Sequence, residues 1–196
     1  MAWMFVLFFL NLLISWNNAY VGGKNLHEAK AGGWFPWVLN WSAIIMAGCG
    51  FTWCYTLALV GLAYAAGKLD PTQVDLAIKL GYVIIVHALL GSGFVITIHS
   101  WISFFKKPSI GGGLTVAWNS YAQVKNTMNA ASFFPKAVGD LFDSMGGGSS
   151  SKSGKDGQGK IAVLTIMLVV LALLLGVLTT RYIVLSAAAS SPPAQA

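Results

Sequence analysis

Four long apolar stretches, separated by polar connections, dominate the pattern of hydrophobic and polar positions along the chain. They cover residues 2–16, 37–66, 80–105 and 161–188. A helix needs about 20 mostly apolar residues to cross a hydrocarbon core about 30 Å thick, and the last three stretches meet that length. With the first stretch extended to residue 20, the pattern predicts an all-α membrane protein with four transmembrane helices.

The first apolar stretch is short enough for a secretory signal. However, no Lys or Arg precedes it, and Asn17 and Ala19 make a poor small-x-small cleavage site. Trp3 and Trp16, near its two ends, suit the aromatic belts at the membrane interfaces. We therefore expect this segment to be a membrane helix, and an intact-mass measurement would reveal cleavage.

An amphipathic pattern covers residues 114–145, between the third and fourth spans. Apolar residues recur there every three or four positions, at Leu114, Trp118, Tyr121, Val124, Met128 and Ala131, and after Pro135 at Val138, Leu141, Phe142 and Met145. This period predicts a helical segment that lies on the membrane surface and contacts lipid or a partner. Residues 146–160 contain no apolar side chain and are expected to form a flexible linker.

The composition excludes an ordinary soluble globule. The chain has 196 residues, of which 56% are hydrophobic and 9% charged, and its mean hydropathy is +0.69. Soluble domains carry about 25% charged residues. The formal net charge of +6 could indicate nucleic acid, but the lysines are spread between the spans and do not form one basic run. Membrane orientation explains them better, so no nucleic-acid partner is expected.

The distribution of basic residues predicts an orientation. The second connection has only Lys68 and Lys79, and Arg181 lies at the far end of the last span. The first and third connections hold nine lysines: Lys24, Lys30, Lys106, Lys107, Lys125, Lys136, Lys152, Lys155 and Lys160. By the positive-inside rule these two connections, with the amphipathic segment, lie in the cytoplasm, and both termini lie outside the cytoplasmic (inner) membrane.

Two similar segments suggest an internal repeat. Each has Tyr followed by Lys, Asn and Ala at identical offsets, and Trp-Asn shortly before the Tyr. The matching residues are Trp16, Asn17, Tyr20, Lys24 and Asn25, and Trp118, Asn119, Tyr121, Lys125 and Asn126. The chain could therefore be two parallel two-helix units, residues 1–79 with spans 2–20 and 37–66, and residues 80–196 with spans 80–105 and 161–188. Convergence on residues favoured at interfaces is the alternative, and both interpretations stay open.

Ionisable residues at membrane depth are candidates for function because their burial is costly. Two histidines qualify, His87 and His99, which lie about 18 Å apart along a helix and about 120° around it. Hydrogen bonding with neighbouring helices is expected, with Ser92 and Thr97 nearby, and a proton or ion path is the alternative. A haem would need axial partners, and only His27, Met46 or Met167 could serve.

Other catalytic chemistry lacks a sequence signal. Cys49 and Cys54 are five residues apart on one helix, too far for a disulfide, and are expected to be free thiols. No nucleophile with its base, carboxylate pair, phosphate loop or metal motif is recognisable, so neither an enzyme nor a cofactor is expected.

The sequence therefore predicts a non-enzymatic membrane protein that acts as a subunit or scaffold of a membrane assembly. Its expected partners are the lipid bilayer and either further copies of itself or a larger membrane complex. An oligomeric pore or channel is the first alternative, and a haem-binding electron-transfer subunit is a remote one.

Overall fold

The structure is a computed structural model that describes residues 2–143 and 155–190, with side chains over residues 6–143 and 163–190. In these residues the chain folds into six helices and no strands. In chain order they are α1 (Ala2–Lys24), α2 (Leu26–Ala31), α3 (Trp34–Ala65), α4 (Pro71–Lys106), α5 (Ile110–Phe142) and α6 (Lys155–Ala189). The prediction of an all-α fold is confirmed. Met145, the linker residues 146–154 and the chain end after residue 190 lie outside the described residues.

Helix α3 is the centre of the bundle, and it packs against α1, α2, α4 and α6. One buried cluster joins α3 to α1 and α6 through Ala19, Ile44, Ala47, Phe51 and Val184. Near the other end of α3, a second cluster joins it to the start of α4 and to α6 through Val60, Leu69, Ala77 and Val169. Small residues permit this close approach, because the α6 backbone at Gly176 lies directly against the α3 backbone at Thr52.

Local sequence explains where α4 begins. Asp70 is its N-cap, and the Asp70 carboxylate accepts a hydrogen bond from the Gln73 backbone N–H (2.9 Å), while the Gln73 side chain accepts one from the Asp70 N–H (2.8 Å). Pro71 occupies the first helical position, where its fixed φ is favourable. Nine residues between Pro71 and Lys79, which the sequence assigns to a connection, are therefore helical and extend the third span.

The bundle is built from antiparallel neighbours along most of the chain. Asn11 of α1 contacts Gly50 of α3, whereas Asn40 near the start of α3 donates to the Gly22 carbonyl at the end of α1 (2.9 Å), so α1 and α3 are antiparallel. Opposite ends also meet between α3 and α4, where Phe35 faces His99 and Thr56 faces Gly81.

Helix α6 runs parallel to α1 and α4. It is antiparallel to α3, because Val169 packs with Val60 and Val184 packs with Ile44. The four-span prediction requires the last span to run against the third, so the observed direction differs from that topology. A chain that leaves the end of α4 must return to the opposite end of the bundle before α6 begins.

Helix α5 makes that return. It packs antiparallel along α4, from the contact of Gly112 with Phe104 to the ion pair of Lys79 with Asp140. Lys79 also pairs with Asp75 at 2.5 Å. The helix passes through Pro135 without ending, so the two predicted amphipathic stripes belong to one element. Its position at the membrane surface stays a prediction, since the structure lays it beside α4 over its whole length.

Three described helices are long and apolar enough to cross a membrane: Trp34–Ala65, Pro71–Lys106 and residues Val163–Ala189 of α6. They support an integral membrane protein. Among the described residues α1 does not meet that criterion, so the fourth span remains a prediction. At its start α6 includes residues 155–160, which the sequence predicts as part of the flexible linker, and this part of the linker prediction is wrong. The helix of the last span therefore begins in polar residues, before the apolar part of α6.

Cysteine labelling in intact membranes separates the observed helix directions from the four-span topology. In a Cys49→Ala/Cys54→Ala background, Gly111→Cys at the start of α5 and Ser190→Cys after α6 should label from the same side, because both positions lie at one end of the bundle. Thr72→Cys, at the start of α4, should label from the other side. Labelling of Ser190→Cys together with Thr72→Cys would instead restore the four-span topology.

Substitution of Gly176 should weaken the contact between α3 and α6. A Cβ atom at Gly176 would lie 2.3 Å from Thr52 Oγ1 and 2.8 Å from the Thr52 backbone nitrogen. Overpacking of this kind costs about 1–3 kcal/mol, so Gly176→Ala should lower the free energy of unfolding by that amount in mixed micelles. Gly61→Ala is the control, because Gly61 has open space around it and alanine favours a helix. Equal stability of the two variants would contradict the close contact.

Candidate functional site

Two of the predicted intramembrane polar residues lie at the contact between α4 and its neighbours. Ser92 donates to the Ala88 carbonyl (2.6 Å) and lies 4.0 Å from the Met46 sulfur of α3. Thr97 Oγ1 is 2.8 Å from the Gly93 carbonyl and 3.3 Å from the Asn119 carbonyl of α5. Both hydroxyls thus bond to backbone of their own helix while they touch a neighbour, as expected for polar residues between membrane helices.

The structure does not bring His87 and His99 together. His87 is exposed, with its ring against the edge of Phe134 of α5 at 5.1 Å. His99 is half-buried, with its ring 6.2 Å from Phe35 and Nε2 3.2 Å from Ser103 Oγ.

A polar seam joins α4 and α5, formed by Thr97, Trp101, Asn119, Ser120 and Gln123. The Gln123 side-chain amide donates a hydrogen bond to the Leu90 carbonyl of α4 at 3.2 Å. The Gln123 side chain also fills the space that a Cβ atom at Gly93 would need. Trp101 Nε1 donates to Ser120 Oγ at 3.0 Å. Gln123 carries no motif that predicts this role, although it stands opposite the apolar stripe on the helical period.

The two Trp/Tyr/Lys segments share a contact of lysine with a tyrosine ring, whereas the Trp and Tyr rings are stacked in the first segment and tilted by 43° in the second. In the first segment, the ring centres of Trp16 and Tyr20 are 5.2 Å apart, and Lys24 Nζ lies 4.9 Å from the Tyr20 ring centre. In the second segment, the ring centres of Trp118 and Tyr121 are 6.3 Å apart, and Lys125 Nζ lies 5.7 Å from the Tyr121 ring centre. Both lysines are exposed, and each has its ammonium within cation–π range of a tyrosine.

The asparagines of the two segments differ in their surroundings. Asn17 and Asn25 are exposed, and Asn25 is the N-cap of α2 without a side-chain capping bond. Asn119 and Asn126 are half-buried on α5, and Asn119 offers its carbonyl to Thr97. Moreover, the corresponding helices α3 and α6 run in opposite directions, whereas a parallel duplication requires one direction. The duplication therefore gains no support from the packing and stays a prediction.

An apolar cleft of about 530 Å³ opens between α3, α4 and α6. It is lined by Leu26, Trp41, Ile44, Ile45, Gly48, Cys49, Thr52, Ile84, Ile85, Ala88, Leu173, Val177, Thr180, Arg181, Val184 and Leu185. Arg181 is the only charged residue among these. A second, more polar cavity of about 370 Å³ lies near the α4–α5 turn and includes His99, Ser103, Lys107 and Asn119. Neither cavity has a signal in the one-dimensional sequence, because each is formed by residues that are distant in the chain.

Charge is divided between the two ends of the bundle. The end that carries the α4–α5 turn has the basic residues Lys24, Lys30, Lys106 and Lys107, and Glu28 is the only acidic residue described there. At the opposite end lie Asp70, Asp75, Asp140 and Asp143 together with Lys68, Lys79 and Lys136. The described side chains therefore carry a net positive charge at the α4–α5 end and are nearly balanced at the other end, where the sequence of α6 also begins with Lys155 and Lys160.

No protein-family model, no curated protein and no solved structure matches this chain. Within the described residues, no three His, Cys, Asp or Glu side chains are grouped as metal ligands would be. Function therefore has to be argued from the exposed surfaces, the cavities and the charges of the bundle.

Loss of the Gln123 side chain should weaken the α4–α5 seam. We expect Gln123→Ala to lower the free energy of unfolding by about 1 kcal/mol, the usual contribution of a hydrogen bond between membrane helices. Asn129→Ala, an exposed amide on the outer side of the same helix, should change stability much less. The measurement is denaturant unfolding of both variants in the same micelles, and a larger effect of Asn129→Ala would show that the seam is unimportant.

Proposed function

We propose that this protein is a non-enzymatic subunit of an oligomeric membrane assembly, and that the outer surface of α5 is its assembly face. The single observation that carries the proposal is the exposure of the predicted apolar stripe. Leu114, Trp118, Tyr121, Val124 and Met128 are 57–69% exposed. The buried residues of α5 are no larger than valine: Val116, Ala130 and Ala137. Its other described contacts with α4 come from Gln123, Phe133 and Phe134, which lie outside the stripe.

The helix directions give this surface its importance. Since α4 and α6 run in the same direction, and both are apolar enough to cross a membrane, the chain between them has to cross as well. Helix α5 is the described element that connects their opposite ends. The proposal is thus a bundle in which α5 is a crossing helix, in place of the predicted cytoplasmic segment.

The outer side of α5 is too polar to face lipid alone. Lys125, Asn129, Ser132 and Lys136 are exposed and recur at helical spacing beside the apolar stripe. Charged and amide side chains within a bilayer normally face protein or water because their exposure to hydrocarbon is costly. A neighbouring subunit that covers the apolar stripe would also shield this polar strip, which supports an assembly over a lone chain.

The basic residues do not assign an orientation to this assembly. The positive-inside rule counts Lys and Arg and gives little weight to Asp and Glu. Five basic residues belong to the end with the α4–α5 turn, namely Lys24, Lys30, Lys106, Lys107 and Arg181, and six belong to the two connections at the opposite end, namely Lys68, Lys79, Lys136, Lys152, Lys155 and Lys160. A crossing α5 places the two termini on opposite sides of the membrane, whereas the four-span interpretation has both termini outside. The inner membrane remains the proposed location.

The polar strip also favours a second candidate, a pore formed by a ring of copies. If the strip from Lys125 to Lys136 faced a central axis, it would line a path about 16 Å long with lysine rings, and such rings select anions. The hydroxyl and amide groups inside the bundle are less suited to this lining, since Asn11, Asn40 and Thr56 are already bonded to backbone or neighbours within one chain.

The mass of particles extracted directly into polymer-bounded native nanodiscs tests the assembly. We expect a mass above that of the 20.8 kDa chain with its lipid, and a reduced mass for Trp118→Ser/Met128→Ser. Leu174→Ser/Leu178→Ser is the matched control, because these α6 residues are equally exposed but belong to another surface. A single-chain particle for the unmodified protein would refute the proposal.

Ion flux in liposomes separates the subunit from the pore with the same samples. A pore predicts chloride flux that falls in Lys125→Gln/Lys136→Gln without a change in particle mass. If the protein assembles but carries no chloride flux, the result supports the subunit role and excludes the pore.

A further inference from the structure

The cleft between α3, α4 and α6 has the dimensions of a single lipid leaflet. Along α6 it extends from Leu173 to Leu185, a distance of about 18 Å on a helix, while half of a hydrocarbon core is about 15 Å. It opens sideways, since Ile45, Ile84 and Val177 in its lining are 42%, 38% and 53% exposed. An extended apolar chain could therefore enter it from the surrounding membrane.

The cleft offers few partners to a polar ligand. Of its two threonines, Thr180 donates to the Gly176 carbonyl at 2.7 Å, and Thr52 is 1% exposed beneath α6. The remaining lining is aliphatic, aromatic, glycine or cysteine apart from Arg181. Such a lining selects a ligand whose buried part is hydrocarbon.

Arg181 provides the one charge of the cleft. It is the only arginine of the chain and the only charged residue between Val163 and Ala189. In the described part of the chain, no carboxylate or carbonyl contacts the Arg181 guanidinium. A guanidinium within an apolar helix is costly without a partner, and its planar donors match a phosphate in two hydrogen bonds.

We propose that this cleft binds one anionic phospholipid, with an acyl chain along α6 and the headgroup phosphate on Arg181. The Arg181 side chain is long enough to reach from the cleft wall to the headgroups, as long basic side chains do at membrane surfaces. Trp41 at the mouth of the cleft suits the same interfacial level. The site lies on the α3–α4–α6 side of the bundle, so it does not depend on the proposed assembly through α5.

Native mass spectrometry of the delipidated protein in a non-ionic detergent tests the proposal. Phosphatidylglycerol and phosphatidylcholine with the same acyl chains are titrated separately, and bound lipids are counted. We expect one phosphatidylglycerol to bind more tightly than phosphatidylcholine, and Arg181→Gln to weaken its binding about fivefold, which corresponds to ~1 kcal/mol. Inorganic phosphate should neither bind at this site nor displace the lipid, because it lacks the acyl chain.

Two further variants make the outcome specific. Lys106→Gln removes an exposed cation at the same end of the bundle but outside the cleft, and it should leave the first lipid bound as before. Ala88→Phe places a ring in the cleft from its exposed wall and should weaken both lipids while Arg181 stays intact. Equal losses in Arg181→Gln and Lys106→Gln, or full binding in Ala88→Phe, would overturn the site. Displacement by inorganic phosphate would show an anion site without a lipid.

Discussion

The antiparallel pairing of α5 with α4 is the contact on which the rest of the arrangement depends. It brings the chain from one end of the bundle back to the other, so that α6 enters in the direction of α1 and α4. The seam is held by the hydrogen bond from Gln123 to the Leu90 carbonyl and by the close approach at Gly93, with the Lys79–Asp140 ion pair at its far end. Without this pairing, none of the described helices would bring the chain back to the end of the bundle where α6 begins.

The sequence predicts those features that depend on local periodicity and local capping. Long apolar runs define α3, most of α4 and the apolar part of α6. Asp70 and Pro71 have the residue types of a helix cap and a first helical residue, and they begin α4 nine residues before the predicted span. The contact of Tyr with a Lys four residues later also follows from helix geometry, so it forms in any helix with this spacing. The presence of this contact in both segments is therefore weak support for a duplication.

Periodicity does not reveal which face of a helix is buried, and for this reason the packing face of α5 was not predictable from the sequence. The stripe from Leu114 to Met128 is the most hydrophobic face of α5, yet the helix packs through Val116, Ala130 and Gln123 on its other side. In water the apolar face would turn inward, because burial of apolar surface is favourable there. Between membrane helices that driving force is absent, and small residues with hydrogen bonds determine the packing. Gln123 and the cleft at Arg181 could not be recognised without the neighbours of α5 and α6.

The same reasoning explains how the polar residues of this bundle are used. Inside the bundle, Asn40, Thr56, Ser92 and Thr97 bond to backbone carbonyls of their own or an adjacent helix, so their polarity is used in packing. Other polar groups lie on the outside, among them Arg181 beside an apolar cleft and the strip that begins at Lys125. An exposed charge in an apolar setting requires a partner from outside the chain, because water is scarce there. One of these surfaces is bordered by a leaflet-length apolar cleft and the other by a row of large apolar side chains. The first geometry suits a lipid, and the second suits another protein.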